Sequence, residues 1–345
     1  LAAAEPFAPL LVAGERVNLE QLREATATLK PAERLVTRLA QLREMLVWAD
    51  ALTPPDAAAM QRAWQTFLDR RDLAHKILQD QERPGATDRT VSTTDPDARR
   101  AKHGKWFEGY LVDILLDPEG GIITAIDVLP AHGDEAGDAL TLICQEEAVH
   151  GNDVQCLSID GVGFNGPVLR ALEDPDGVHV DTYVPVPQEP AGGLFTPQDF
   201  PLDAERDEVI CPAGHTSQCH YHDDQKQTTR YYFDPQVCRQ CPLLSQCMKH
   251  APGRRGRAVC KSDYQAEHDR ARQKVGTPQY AAIRREHPKV ERKLGEVMNR
   301  HGGRRAHYRS RPKVLIQELL ACMATNIKCL VRSLCAPDSA QGSTT

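Results

Sequence analysis

The sequence has no apolar run approaching the ~18 residues of a membrane-spanning helix, which argues against an integral membrane protein. It has no N-terminal succession of charged, apolar and small residues, so no secretory signal is expected. No internal repeat is visible, which sets aside solenoids and propellers. Its 11 cysteines are odd in number and lack the spacing of a disulfide framework, so a reducing compartment is expected. Strong net charge is also missing. Lys and Arg number 42 against 48 Asp and Glu, a formal net of −6, which taken whole argues against a nucleic-acid partner. What the chain does have is length: 345 residues, 41% hydrophobic, enough for about two domains or one domain with a large insertion.

Mapping the charge reverses that argument. Between Arg254 and Lys313 there are 18 Lys and Arg and 6 Asp and Glu, which leaves 24 against 42 elsewhere. A strongly cationic stretch inside an acidic protein is a footprint of polyanion binding, because each neutralised phosphate releases condensed counterions. A solvated basic helix face is the plain alternative. Tyr264, Tyr280 and Tyr308 interleave with the cations and favour nucleic acid.

Periodicity divides the chain. Leu19, Leu22 and Leu29, then Leu35, Leu39, Leu42 and Leu46, then Met60, Trp64 and Leu68 recur at helical spacing, and predict two or three antiparallel helices over residues 18–81. Pro31 and Pro54–Pro55 stand where proline starts a helix. After a polar stretch from Glu82 to Arg99, β-branched and aromatic residues predict a hairpin, 106–116 with 121–129, around Asp117-Pro118-Glu119-Gly120-Gly121. A helix over 135–150, a strand 154–160 ending on Asp160, a helix 167–173 and a strand 179–186 give a β-α-β rhythm and a mixed α/β sheet. Residues 187–201 read as a boundary loop. The chain is helical again from Asp263, and Val314, Leu315, Leu319, Leu320, Met323, Ile327 and Leu330 predict a largely buried last helix. The expected organisation is a helical segment 1–85, a core part 86–200, a Cys-rich insertion 201–262, a basic helical part 263–335 and a disordered tail 336–345.

Cys238 and Cys241 form a C-x2-C pair followed by Cys247, and Cys211 lies upstream in Cys211-Pro212-Ala213-Gly214. Four thiolates from two turns can close a tetrahedral Zn²⁺ site, and such a site is structural because no coordination position stays open. Cys219, His215, His220 and His222 are competing ligands, and free thiols in a loop are the alternative. Cys322 and Cys329 read as core residues of an apolar helix.

Asp160 ends a strand and precedes the glycine-rich Gly161-Val162-Gly163-Phe164-Asn165-Gly166, a position suited to a ligand or metal; a turn-initiating Asp is the plain alternative. Glu291 starts a helix in the most basic part of the chain, where an ion-pair partner is the ordinary role. Taken together, two carboxylates offer hard oxygen ligands for Mg²⁺. Two such ions about 4 Å apart can activate an attacking oxygen and stabilise a leaving one in phosphodiester transfer.

These segments, in order, resemble the DDE-type transposases of bacterial insertion sequences, in the branch with a cysteine-bearing insertion before the catalytic Glu. Ser92–Arg99 with Gly109-Tyr110 resembles the opening of that family's second strand, and Asp127–Ala131 with Asp134 the strand and loop that follow. Ile159–Phe164 is similar to the second catalytic aspartate and its turn. Cys211–Gly214 with Cys238–Cys247 resembles the cysteine insertion, and Val290-Glu291-Arg292 through Lys313 the region of the third catalytic residue. The resemblance spans roughly residues 90–332. It implies a ribonuclease H-like α/β fold, a mixed sheet with flanking helices, and Mg²⁺- or Mn²⁺-dependent DNA cleavage and strand transfer. Asp160 and Glu291 would be catalytic, with Arg292, Lys293, Arg304, Arg305, Arg309 and Lys313 on phosphates. The partner would be double-stranded DNA, transposon ends and target, bound by a homodimer in the bacterial cytoplasm with no membrane attachment. Two places depart from the family: His287 stands four residues before Glu291 where a basic residue such as arginine is usual, and Met298 seven after it where a lysine is usual. The family's first catalytic Asp finds no counterpart and is expected upstream of Leu1, with Asp97 as a weak substitute beside Asp95. A truncated or domesticated derivative that binds DNA without cutting it, and a zinc-stabilised interaction protein, are the competing expectations.

Overall fold

The computed structural model describes residues 2–8, 11–12, 15–188, 193–203 and 205–335, so the tail expected over 336–345 lies outside the described residues. Along the chain the strands are β1 (Leu11–Val12), β2 (Glu15–Arg16), β3 (Arg99–His103), β4 (Lys105–Asp117), β5 (Ile122–Pro130), β6 (Cys156–Ser158) and β7 (Asp181–Tyr183). They continue as β8 (Leu202–Asp203), β9 (Glu208–Val209), β10 (Cys219–Asp223), β11 (Thr228–Tyr232) and β12 (Ala258–Ser262). The helices are α1 (Leu19–Ala27), α2 (Pro31–Asp50), α3 (Gln61–Glu82), α4 (Glu135–His150), α5 (Gly166–Glu173) and α6 (Pro235–Gln240). After them come α7 (Leu244–Cys247), α8 (Gln265–Lys274), α9 (Pro278–Glu286), α10 (Pro288–Arg300) and α11 (Arg311–Leu334). The protein is mixed α/β, with five small sheets among the described residues. β4 lies between β3 and β5 in an antiparallel sheet, β10-β11-β12 form a second three-stranded sheet, and β6 and β7 pair in parallel.

The chain divides into two compact units. The first holds residues 1–112, 128–133 and 305–318. Its helices start where the sequence supplies caps. Asn18 accepts from the amides of Glu20 and Gln21 at 3.0 Å, while the Gln21 side chain accepts from the Asn18 amide, satisfying N–H groups that the first turn leaves orphaned. Ala4, Ala49 and Phe67 form the core of this helical part, and Phe7 meets Trp64 edge to face at 5.0 Å. After α3, Asp80 pairs with Lys76 at 2.5 Å and accepts from the Thr90 amide at 2.8 Å, which fixes the polar stretch that follows.

The second unit holds residues 113–127, 134–304 and the chain from 319 on. Its main core gathers Ala136 and Ile143 of α4, Leu157 of β6, Val168 and Leu172 of α5, and Val180. This packing follows the β-α-β pattern of the sequence: β6 and β7 align in register, Leu157 opposite Thr182, with α5 covering them. Phe200, Val209, Tyr231, Phe233 and Val259 form a separate core beneath the β10-β11-β12 sheet.

α11 corrects the expectation of a largely buried helix. Val314, Glu318, Ala321, Cys322 and Thr325 are buried, but Leu319, Leu320, Met323, Ile327 and Leu330 are each 44–59% exposed. The buried residues are mostly small or polar and occupy one face, so the large apolar side chains lie on the other. Arg311–Leu334 is also the described helix long and apolar enough to cross a membrane by length and composition, where the sequence reading found no such run.

Candidate metal and nucleic-acid site

Asp160 follows β6 and initiates the 3-10 turn Gly161–Gly163, its Oδ1 accepting from the Val162 amide at 3.1 Å. Gly163 is required by close packing, since a Cβ there would lie 2.6 Å from Ile159 Cγ2. Glu291 lies in the first turn of α10, with Pro288 supplying the helix start. Both side chains are exposed. Glu291 makes no ion pair among the described residues although Arg292 and Lys293 follow it, so the ordinary role of a lone glutamate among cations is not the one it plays.

His287 lies between α9 and α10, where the charges of both acids bear on it. Burial and the Arg284 guanidinium hold its imidazole below the usual histidine range, while the Glu291 and Asp160 carboxylates oppose that shift. Its Nδ1 lies 3.2 Å from Ser158 Oγ, so the end of β6, two residues before Asp160, is tied to the junction that begins the helix of Glu291. Arg284 reaches the same place, donating from Nη1 to Ser158 Oγ at 2.9 Å and to the Ile159 carbonyl at 2.6 Å.

Asp97 and Asp95 belong to the other unit. Asp97 accepts from the Arg311 amide at 2.9 Å; Asp95 accepts from Tyr110 Oη at 2.6 Å and from the Ser310 amide at 2.9 Å. These bonds give both carboxylates a part in holding the start of α11, the role of a turn and cap residue.

The cations separate into two kinds. In α8, Arg270 and Lys274 bond Glu173, Lys274 also pairs with Asp181, and Arg272 pairs with Asp269. Glu173 is mostly buried; burial works to raise its carboxyl, and bonds from Lys274, Thr182 and Arg270 more than offset this and hold it below the usual range. These cations stabilise the fold. By contrast Arg292 and Lys293 of the second unit, and Arg305, Arg309 and Lys313 of the first, form no ion pair among the described residues. The Arg304 side chain donates to Asn299 Oδ1, at 3.2 Å, and forms no ion pair among the described residues.

The four cysteines line one cavity of about 250 Å³, together with Phe200, Phe233 and Arg257. Cys211 opens a tight turn in which Gly214 takes a φ of 81°, the Cys211 amide donates to the His215 carbonyl at 2.8 Å, and the His215 amide reaches Cys211 Sγ at 3.4 Å. Cys238 lies in α6, Cys241 caps it and Cys247 ends α7. Burial raises the Cys247 thiol, the neighbouring Cys238, Cys211 and Cys241 add to that, and Arg257 opposes it. Among the described residues no three His, Cys, Asp or Glu side chains stand within metal-ligating reach of one another. His220 and His222 point elsewhere, within 3.2 Å of Asp207 and Asp224.

Sequence reasoning missed Ser158 and Arg284, and it set Tyr280 beside nucleic acid where the structure bonds its hydroxyl to the Val184 carbonyl. The signal was available: Tyr280, Arg284 and His287 fall at i, i+4 and i+7, one face of a helix.

The mixed α/β chain thus presents one acid just past a strand and another at a helix start, with cations following the second. Residues 210–331 match the family described as transposase DDE domain. That segment is about a third of the chain and contains Glu291, the four clustered cysteines and all six of the proposed phosphate-contacting cations; Asp160 precedes it. The similarity to DDE-type transposases thus rests on a family match as well as on the motifs. No curated protein and no solved structure matches the chain.

Proposed function

We propose that the chain is a DNA transposase of a bacterial insertion sequence, with Asp160 and Glu291 as two of its catalytic carboxylates. The observation that carries this reading is that His287, bonded to Ser158 two residues before Asp160, is also the residue from which the helix of Glu291 starts, and that Glu291 forms no ion pair among the described residues although cations follow it. Two exposed carboxylates suit Mg²⁺ or Mn²⁺, which commonly takes one or two protein carboxylates and completes its shell with water and phosphate oxygens. When bound, such an ion supplies activation of the attacking oxygen and stabilisation of the leaving one. The chain's own residues do the rest. Arg292 and Lys293, one and two residues beyond Glu291, neutralise phosphates of double-stranded DNA, as do Arg304 of the same unit and Arg305, Arg309 and Lys313 of the other. The antiparallel β3-β4-β5 sheet followed by α4 and the parallel β6-α5-β7 unit supports a ribonuclease H-like core. Cys211, Cys238, Cys241 and Cys247 line one cavity and are soft donors of the kind a structural Zn²⁺ site uses; no three of them stand within ligating reach of one another, so an ion there would have to draw them together. A homodimer on DNA, in the bacterial cytoplasm, completes the reading.

The test is Mg²⁺-dependent cleavage of DNA carrying the element's ends, with Asp160→Asn beside the parent chain. The variant loses cleavage and keeps its DNA affinity. Undiminished cleavage removes Asp160 from the mechanism. A parent chain that binds DNA and never cuts it is the DNA-binding derivative, and one that does neither is the interaction protein.

A further inference from the structure

Two side chains of α9 and the residue that caps its C-terminus, in line along one face, reach the ends of the parallel strands. Tyr280 Oη donates to the Val184 carbonyl just past β7, at 3.2 Å. One helical turn on, Arg284 directs Nη1 to Ser158 Oγ and to the Ile159 carbonyl. One turn further, His287 Nδ1 meets the same Ser158 Oγ. The Ile159 amide in turn donates to the Tyr183 carbonyl at 3.2 Å, so Ile159 is held through both its N–H and its C=O. The peptide so fixed is the one that leads into Asp160. The last group of the stripe, His287, is the residue from which α10 and Glu291 depart.

We propose that Arg284 is a positioning residue: it clamps the Ser158–Ile159 main chain against α9 and thereby sets the distance between Asp160 and Glu291. Arg284 is half-buried, and a single nitrogen directing both hydrogens at fixed acceptors does not have the geometry of a group reserved for phosphate. The guanidinium is planar and stiff, so it holds two acceptors in one arrangement, which the flexible single ammonium of lysine does not reproduce. Ser158 Oγ, which accepts from Arg284, is the shared partner through which His287 joins the clamp. This proposal rests on the two-carboxylate reading given above and specifies how the fold keeps that pair in register.

The experiment is Mn²⁺ binding to the full chain, followed by electron paramagnetic resonance, for the parent, Asp160→Asn, Glu291→Gln, Arg284→Lys, Arg284→Ala and Ser158→Ala, each checked for intact folding by thermal melting. Duplex DNA affinity and its salt dependence are measured on the same samples. Both carboxylate variants weaken Mn²⁺ binding, and Arg284→Lys, Arg284→Ala and Ser158→Ala weaken it about 10- to 100-fold, the usual effect of removing a group that orients a ligand. DNA affinity and salt slope stay as in the parent. If the carboxylate variants lose Mn²⁺ and the Arg284 and Ser158 variants do not, the clamp is wrong and the two-carboxylate reading survives. Weaker DNA binding with a flatter salt slope in the Arg284 variants would make Arg284 a phosphate contact and overturn the proposal. If neither Asp160→Asn nor Glu291→Gln alters Mn²⁺ binding, or the parent binds none, the underlying reading fails and the clamp falls with it. Should Arg284→Ala not fold, Ser158→Ala, which removes only a hydroxyl, decides the matter.

Discussion

Asp113→Asn is expected to make the protein more stable at neutral and alkaline pH, and not at acid pH. Asp113 stands on β4, and its buried Oδ2 has no hydrogen-bond partner among the described residues. Burial, then the charges of Glu135, Asp138 and Asp127, pushes its carboxyl up to about 7, against an ordinary value of 3.8. The folded chain therefore holds a proton that the unfolded chain releases. Below about pH 4 both states are protonated and the residue has no effect on stability. From there to about pH 7 folding binds a proton, so stability falls as pH rises, by about 1.4 kcal/mol per unit at most. Above pH 7 the loss is complete. The full shift corresponds to about 4 kcal/mol; because Asp113 is only part-buried and its neighbours also titrate, an effect on the order of 2–4 kcal/mol is expected. Asparagine has the shape of the protonated acid and cannot ionise. Urea denaturation at pH 4.5 and pH 8 should show near-equal stabilities at the lower pH and an advantage of about 2–4 kcal/mol for the variant at the higher. Parallel pH profiles for the two chains would refute the reasoning.

Replacing Arg304 and Arg305 together by alanine should weaken duplex DNA binding and lower the slope of log affinity against log salt by about two, one for each phosphate no longer neutralised; an unchanged slope removes these residues from the interface. Zinc chelation of the metal-loaded protein should release about one Zn²⁺ per chain, expose four thiols to a thiol reagent and lower the melting temperature. Metal analysis finding no Zn²⁺ in protein purified without chelator would show the cavity to be a pocket of free cysteines. Gly256→Ala should destabilise by about 1–3 kcal/mol, the usual effect of overpacking, since the added Cβ would fall 2.3 Å from the Phe233 carbonyl oxygen and backbone has to move; an unchanged denaturation midpoint would show that this turn yields freely.

Much of the architecture was legible because its signals are local. The leucine spacing of residues 19–46 gives α1 and α2, and the Asp117–Gly121 turn gives the β4-β5 hairpin. The β10-β11-β12 sheet was not read. Its first strand is Cys219-His220-Tyr221-His222-Asp223, largely exposed, and its third follows a 25-residue excursion through α6 and α7, so neither alternation nor sequence proximity announced it. The proposed pair, Asp160 and Glu291, could be placed from the sequence, one close after a strand and the other at a helix start. Arg284 was not, because its role depends on bonds to a serine and a carbonyl contributed by a distant stretch of chain. The charge count showed where cations concentrate and not which were committed. Arg270 and Lys274 look as available in sequence as Arg292 and Lys293, and the acids that engage them, Glu173 and Asp181, come from α5 and β7.

The exposed apolar face of α11 has a bearing on how the protein behaves as temperature changes. Leu320, Met323, Ile327, Leu330 and Leu334 recur at alternating intervals of three and four, and each is more than half exposed. The attraction of such surface for other apolar surface is entropic near room temperature and weakens on cooling. Chilling therefore favours dispersed molecules and warming favours association. Salts that are excluded from protein surfaces, sulfate above all, would act in the same direction as warming.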